Sequence, residues 1–428
     1  MSLADDAKIL LIPSGYKTDT PNGKLYSVFP TDGNQDFRID RATTGTRINP
    51  GGLIETMLAD TPRLNHYGGN CPSVLREVGR TNLMASSQDF NYSGYSRTRC
   101  TVDSTNLIAP DGTLTGNKIE STNTSVANIR EFLSITAGSD FSMSFFVKKG
   151  TGTHISTGIF NSSSNSFVRY FVDLETMEYD GSLSEVGSEI SLISRQIIDY
   201  GNGWNRIITN VSTNTTTGLN IYIYPQTNGT TFASTIGEYN YFWGWQTEQG
   251  IGATSYIKTT TASVTRNLDN INCENETYET GNDVTWFLDF DSYTFTNSFR
   301  PLIVIRNSGF TETMDWISYN SGSDYYFRMR VTNQSSLQTI IAFGQNAIQM
   351  FQRNKVALRL YGSNYEIYVN GVREYTGTST NGDWKIINNS AILNDFGSHS
   401  EAPSMKLYDF RVYDKTMTQS DLETLTTL

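Results

Sequence analysis

The fold is decided by residues 354–375, NKVALRLYGSNYEIYVNGVREY. Val356, Leu358 and Leu360 alternate with other residues at the two-residue period of a strand. Tyr365, Ile367 and Val369 resume that alternation after a turn at residues 362–364. Asn370 and Gly371 then close a second tight turn, because both tolerate the positive φ that a two-residue hairpin demands. Two successive hairpins with one apolar face make a half-buried antiparallel meander, and such a sheet needs a second sheet to cover it. The stretch therefore predicts a β-sandwich.

Composition carries that reading outward. At 428 residues the chain has room for two to four domains with proper cores. Charged residues make up only 18% and aromatic residues 12%, the profile of turn-rich β-structure rather than of helical bundles or disorder. The expected class is all-β: an extended N-terminal docking region over residues 1–82, then two sandwich (jelly-roll) domains over 83–269 and 270–428. A formal net charge of −11 argues against a nucleic-acid partner, which would select a basic face. Cys71, Cys100 and Cys273 stand far apart, which argues against a disulfide framework and a structural zinc site. No apolar run approaches the roughly 20 residues of a membrane span, and the acidic start ending at Pro13 is unlike a secretory signal.

Along the chain, Ser2 can cap a short helix over residues 3–11, with Asp5 and Asp6 in its first turn. The remainder of residues 1–82 lacks the regular apolar repeat of an independent core, so it must dock on something, a second copy or a partner. From Met84 onward, short alternating runs such as FSMSFFVKK at residues 141–149 recur between turns at roughly ten-residue intervals, as in sandwiches. A polar, acidic linker follows over residues 267–283. Residues 284–428 hold a further series of strand-like runs, ending in KLYDFRVY at 406–413 and a short helix over 417–425 capped by Ser420.

Certain residues carry a resemblance. The series Leu11-Ile12-Pro13-Ser14-Gly15-Tyr16, Arg41-Ala42-Thr43-Thr44-Gly45-Thr46-Arg47, Thr61-Pro62-Arg63-Leu64, Cys71-Pro72-Ser73-Val74-Leu75, Arg80-Thr81-Asn82-Leu83 and Ser87-Gln88-Asp89-Phe90 is similar to a recurrent module of tailed-bacteriophage virion proteins, found in head-spike, head-fibre and tail-fibre chains. Residues 74–78, VLREV, depart from the more apolar run usual there and are expected to be more exposed. Asn202-Gly203-Trp204-Asn205-Arg206, Phe242-Trp243-Gly244-Trp245-Gln246-Thr247-Glu248 and Ala253-Thr254-Ser255-Tyr256-Ile257 resemble carbohydrate-binding-module-like jelly rolls. The stretch at 365–371 and the C-terminal strand and helix resemble laminin-G/concanavalin-A-like domains. The resemblance implies a non-enzymatic virion appendage assembled in the host cytoplasm. Its N-terminus would bind capsid or tail proteins, its jelly rolls would face host-surface carbohydrate, and it would form a homotrimer. A glycan-degrading tailspike enzyme and a secreted bacterial lectin or adhesin are the rival readings.

The chemistry legible in the residues is sparse. A glycosidase needs two carboxylates flanking a cleft, and the nearest approach is Asp289-Phe290-Asp291, without a Glu. Glu175, Glu178 and Asp180 read as a surface turn. No cofactor motif is legible; a calcium site would draw on Asp315, Asp324, Asp383 and Asp395, oxygen donors suited to rim loops. Sugar binding needs ring faces beside polar side chains. The densest such group is Trp316, Tyr319, Asp324 and Tyr325, with Trp384 as a second focus. Trp204, Trp243, Trp245 and Trp286 read as core.

Overall fold

The computed structural model describes residues 3–13, 24–25, 28, 37–68, 71–273, 283–292, 300–306, 313–321, 324–332, 338–342, 352–378 and 404–428, the strands between 300 and 342 as backbone. The protein is all-β, and among the described residues a single α-helix, Gln419–Thr426, interrupts the strands. It divides into two compact units. One comprises Met1–Arg47, Thr56–Gly79 and Asn267–Leu428; the other comprises Ile48–Glu55 and Arg80–Arg266.

The first unit is built on the predicted meander. Arg353–Tyr361, Asn364–Val369 and Val372–Thr378 pair in succession, and Asn370 and Gly371 take φ of +49° and +88° at the second turn. The Asn370 side chain accepts from Lys355 N at 2.9 Å, which ties the turn to the neighbouring strand. The sheet continues through Val284–Ser292, Met405–Tyr413, Ser73–Arg76 and Leu64–Asn65, with Ile9–Leu11 also paired to Met405–Tyr413. Alternation sends Trp286, Leu288, Phe290, Leu358, Ile367 and Phe410 to one buried face. Phe287, Ala357, Tyr368 and Tyr413 go to the other, where the helix covers them with Leu422 and Leu425. A separate sheet of Arg300–Arg306, Thr313–Ser321, Asp324–Thr332 and Gln338–Ala342 belongs to the same unit.

Three local expectations are overturned. Residues 3–11 are not a helix: residues 3–6 turn, and Ile9–Leu11 is a strand facing Phe410–Val412. Ile9 and Leu11 enter one core and Leu10 the other, so three successive apolar residues suit a strand buried on both faces. The VLREV stretch is buried rather than exposed, because Ser73–Arg76 pairs inside the large sheet and Val78 is 1% exposed. The C-terminal helix is capped by Thr418, not Ser420, in a reciprocal capping box with Asp421. Met417 before the cap and Leu422 within the helix pack in one cluster, a hydrophobic staple that fixes this start over the alternative two residues later.

The second unit is a sandwich of two six-stranded antiparallel sheets. One has the order Cys100–Leu107, Gly116–Ser121, Tyr239–Gln249, Asp140–Lys148, Trp204–Thr213, Ile190–Asp199. The other runs Glu178–Val186, Phe167–Asp173, His154–Asn161, Gly218–Thr227, Asn128–Ser134, Ser96–Thr98. Phe141, Met143, Phe145 and Val147 meet Ile155, Val168, Val172, Ile221 and Ile223 in the core between them. Tyr170 is fully buried there, its hydroxyl 2.7 Å from Thr209 Oγ1 of the opposite sheet. Arg80–Asn82 pairs with Val264–Arg266, joining the first and last strands of the unit. Fully buried Asn82 donates to Trp245 O and Ile257 O and accepts from Met84 N and Thr247 N.

Within the first unit, Ile9–Leu11, Leu64–Asn65 and Ser73–Arg76 complete the sheet of residues 284–428, and Phe37–Asp40 pairs with Asn270–Cys273. A buried ionic network ties Arg41, Arg63 and Glu77 to Asp269. Arg41 Nη1 donates to Asp269 Oδ1 at 2.7 Å, and Arg63 donates to both oxygens of Asp269 and to Glu77 Oε2 at 2.7 Å. Carbonyls of Thr43, Thr46 and Leu58 take further donors; Glu77 N donates to the Asp269 carboxylate and Asp269 N to the Glu77 backbone carbonyl, each at 2.9 Å. All four side chains are at most 1% exposed. Asp269→Asn leaves two buried guanidiniums sharing one carboxylate and is expected to cost about 3–5 kcal/mol in urea unfolding. Lys8→Ala, which breaks the exposed 2.5 Å pair with Asp414, should barely move the midpoint. Equal shifts for the two variants would refute the structural role assigned to the network.

Candidate functional site

The sugar-binding residues named from sequence divide between places. Trp316 and Tyr319 lie on the strand Thr313–Ser321, and Asp324 and Tyr325 on Asp324–Thr332; the ladder pairs Trp316 with Met329, Asn320 with Tyr325 and Ser321 with Asp324. Trp316 and the Asn320–Tyr325 pair occupy one set of alternate register positions, and Tyr319 and Asp324 the other. Trp384 lies outside the described residues, as do Asp383 and Asp395. Asp315 stands opposite Arg330 in the same ladder. Among the described residues no group of three or more His, Cys, Asp or Glu is arranged to hold a metal ion. Cys71 and Cys100 are free thiols.

The carboxylates nearest to a glycosidase pair are already engaged. Asp289 takes Arg353 in a two-pronged pair at 2.7 and 2.6 Å, and Asp291 takes Lys406 at 2.8 Å. Trp204, Trp243, Trp245 and Trp286 are all buried, as read from sequence.

Surface rings gather elsewhere, on one outward face of the second unit. In the sheet that contains His154–Asn161, the residues Ile155, Ile159, Val168, Tyr170, Val172, Ile221 and Ile223 point into the core. The period of two then turns Phe160, Phe167, Arg169, Phe171, Tyr222, Tyr224, Arg130 and Phe132 outward. Register sets Arg130, Tyr222, Gly158 and Arg169 side by side across four strands, with Phe132, Asn220, Phe160 and Phe167 in the adjacent row.

The rings touch in sequence. Phe160 stacks on Phe167 with centroids 4.8 Å apart and meets Tyr222 edge-on at 5.0 Å; Tyr222 stacks on Tyr224 at 5.7 Å. Tyr224 and Phe171 both lean on Phe232, at 4.7 and 4.9 Å. Gly158 permits this floor, because a Cβ there would stand 2.6 Å from the Phe160 ring. Phe132 is 51% exposed, and Phe160, Tyr222 and Phe232 are half-buried.

Two guanidiniums border the rings. Arg169 lies over Phe232 at 4.2 Å and Phe167 at 5.1 Å, and Arg130 over Tyr222 at 5.8 Å. Burial pushes the Tyr224 phenol up to about 12 against the pull of Arg169, so it faces the sheet uncharged at neutral pH. At the strand ends His154 Nε2 stands 3.0 Å from Asp180 and 3.8 Å from Asp173, which draws both carboxylates to that end of the face. Sequence reasoning passed over this face. Its signal was present in FVRYFVD, residues 167–173, but aromatic residues occupy both phases of that run, so only the phase of Val168 and Val172 reveals which rings point outward.

The sandwich's other outward face makes the contrast. There Phe146, Trp243 and Tyr256 form a ring cluster, but residues 250–259 cover it, and Trp243 and Tyr256 are 0% and 4% exposed. The cover is fastened by Glu248 to Thr254, Gln246 to Ile257 N and Ser87 to Tyr256.

No protein-family model matches the sequence, and no curated protein matches it. Among solved structures the chain is similar to the CBM40 module of Ruminococcus gnavus IT-sialidase, with TM-score 0.30 and 15% identity over 34% of this chain and 83% of that one. It is similar to the SAP-like pentraxin of Limulus polyphemus, with TM-score 0.28 and 14% identity over 35% and 73%. It is also similar to domains LG4-5 of the mouse laminin α1 chain, with TM-score 0.23 and 7% identity over 69% and 90%. At these scores the likeness is one of coarse architecture, jelly-roll sandwiches, and bears on no ligand.

If the outward arginines serve a ligand rather than the fold, removing one should be cheap. Arg169→Gln gives up contacts with ring faces and is expected to cost about 0.5–1 kcal/mol in urea unfolding. A loss above about 3 kcal/mol would make Arg169 a structural residue.

Proposed function

We propose that this chain is a non-catalytic adhesion subunit whose second unit binds carbohydrate. The observation that carries the reading is the open face of Phe132, Phe160, Tyr222 and Arg169, beside a second ring cluster that the same sandwich covers completely. Water-exposed rings in contact with one another supply what the C–H faces of a sugar stack on, and Asn220, Arg130 and Arg169 supply hydrogen-bond partners for its hydroxyls. Such a face takes sugars by shape and stacking, and its affinity per site is modest.

The sequence resemblance supports the finer reading: a fibre or spike subunit of a bacteriophage virion, a homotrimer joined through its N-terminal segment to capsid or tail proteins, with host-surface glycan as partner. Repetition then does the work, because copies held on one particle convert weak single contacts into firm adsorption through effective concentration. Arg41, Arg63, Asn82 and Ser87, residues that carry the resemblance, are all buried and hydrogen-bonded. They specify how the chain folds, which leaves ligand choice to the exposed face. The carboxylates at residues 289 and 291 are held in ion pairs, which supports a binding role over a hydrolytic one. Among the described residues no helix is long and apolar enough to cross a membrane.

Two measurements test these readings. On an array of host-surface glycans the purified chain should bind, and Phe160→Ala and Tyr222→Ala should each weaken binding by roughly 3- to 10-fold while leaving thermal unfolding nearly unchanged. Binding that persists undiminished in both variants would remove this face as the site. Antibody against the chain should decorate intact phage particles; particles without label would reject the virion assignment.

A further inference from the structure

We infer that the open ring face is selective for acidic glycans, with Arg169 as the receptor for a sugar carboxylate; this rests on the carbohydrate-binding reading above. The arginines paired with carboxylates lie in the first unit; among the described residues of the second unit Arg97, Arg99, Arg130, Arg195 and Arg206, like Arg169, form no such ion pair. Arg41, Arg63, Arg353, Arg359 and Arg411 all have carboxylate partners. Arg169 has none among the described residues. It lies over two ring faces and interacts with the Tyr224 hydroxyl, and its Nε is buried without a hydrogen-bond partner.

The Arg169 Nε is sealed from solution, so the η nitrogens are the donors that a ligand oxygen can meet. Arg206 is the informative comparison: it too lies over a ring, Phe146, but it donates to Ser144 Oγ at 2.9 Å and is 3% exposed, so nothing from solution reaches it. Arg169 is half-buried on an open face, 5.1 Å from the Phe167 ring and 4.2 Å from the Phe232 ring, with a planar fork that matches a carboxylate through two parallel hydrogen bonds. Asp173 on the same strand and Asp180 on the next lie 3.8 and 3.0 Å from His154 Nε2, and Ser184 is the residue opposite Arg169 in the ladder. Arg130 repeats the arrangement in the same register row, beyond Tyr222 and Gly158, with Nη1 at 3.4 Å from the Tyr222 hydroxyl and no carboxylate partner among the described residues. The floor of rings between the two cations takes the sugar's apolar side while the acid group meets Arg169.

The test uses the full chain on an array in which each uronic-acid oligosaccharide stands beside its carboxyl-reduced counterpart, the same sugar with a primary alcohol in place of the acid. The acidic member of each pair should bind about 10- to 100-fold more tightly, the range of a charge-assisted hydrogen-bonded pair. Arg169→Gln should abolish that preference, and Arg169→Lys should keep part of it, because it retains charge and loses the fork. Phe160→Ala should weaken acidic and reduced members alike. Equal binding of both members by the unaltered chain overturns the inference while leaving carbohydrate binding intact. Binding to no glycan at all overturns both. If Phe160→Ala instead converts an oligomer into a monomer in sedimentation, the face belongs to a second copy of the chain and the inference falls.

Discussion

The first unit depends on four side chains with no access to water. Arg41, Arg63, Glu77 and Asp269 meet in one buried cluster of cations and anions, and Asp269 is separated from the other three by about 190 residues or more of chain. Charges so buried are poor sources of net stability, since desolvation cancels much of their attraction. Their effect is on uniqueness. Any arrangement that brings the N-terminal segment to the wrong place leaves a guanidinium or a carboxylate unpaired in the interior, at a cost of several kcal/mol. The strand Ser73–Arg76, which leads directly into Glu77, is thereby held in one register in the large sheet. Because Asp269 follows the whole second unit in sequence, that closure comes after residues 80–266 have been made.

The second unit applies one rule with two outcomes. Both of its sheets send rings outward on alternate residues, and apolar surface left in water costs about 25 cal/mol per Å². On one side, residues 250–259 remove that cost by covering Phe146 and Trp243, fastened by Glu248 and Gln246. On the other, no segment of the sandwich covers Phe132, Phe160 and Tyr222, and the rings instead shelter one another and two guanidiniums. The same sandwich thus seals one ring surface and leaves the other open to solvent.

How much of this was legible follows from how local each signal is. The meander at 354–375 declared itself because its turns need particular residues, Asn370 and Gly371, and because its apolar residues keep one phase. The strand at Ile9–Leu11 did not, since three adjacent apolar residues fit a short helix as well as a strand buried twice, and only the distant Phe410–Val412 decides between them. The ring face was obscured by composition. Where Phe167, Tyr170 and Phe171 stand on both sides of one strand, aromatic content alone says nothing about direction. Tryptophan drew attention to Trp316 and Trp384, while the rings exposed in the second unit are phenylalanine and tyrosine. The buried network was half visible: the resemblance marked Arg41 and Arg63, but their shared partner Asp269 sat in what read as a linker, and nothing local distinguishes an acid in a linker from one in a core.

The pairing of Arg80–Asn82 with Val264–Arg266 places both ends of the second sandwich one strand spacing apart, about 4.8 Å. A segment whose termini meet is a cassette. Residues 80–266 can be exchanged as one piece between Gly79 and Asn267 without lengthening the host chain, provided the replacement keeps the surface against which residues 48–55 pack.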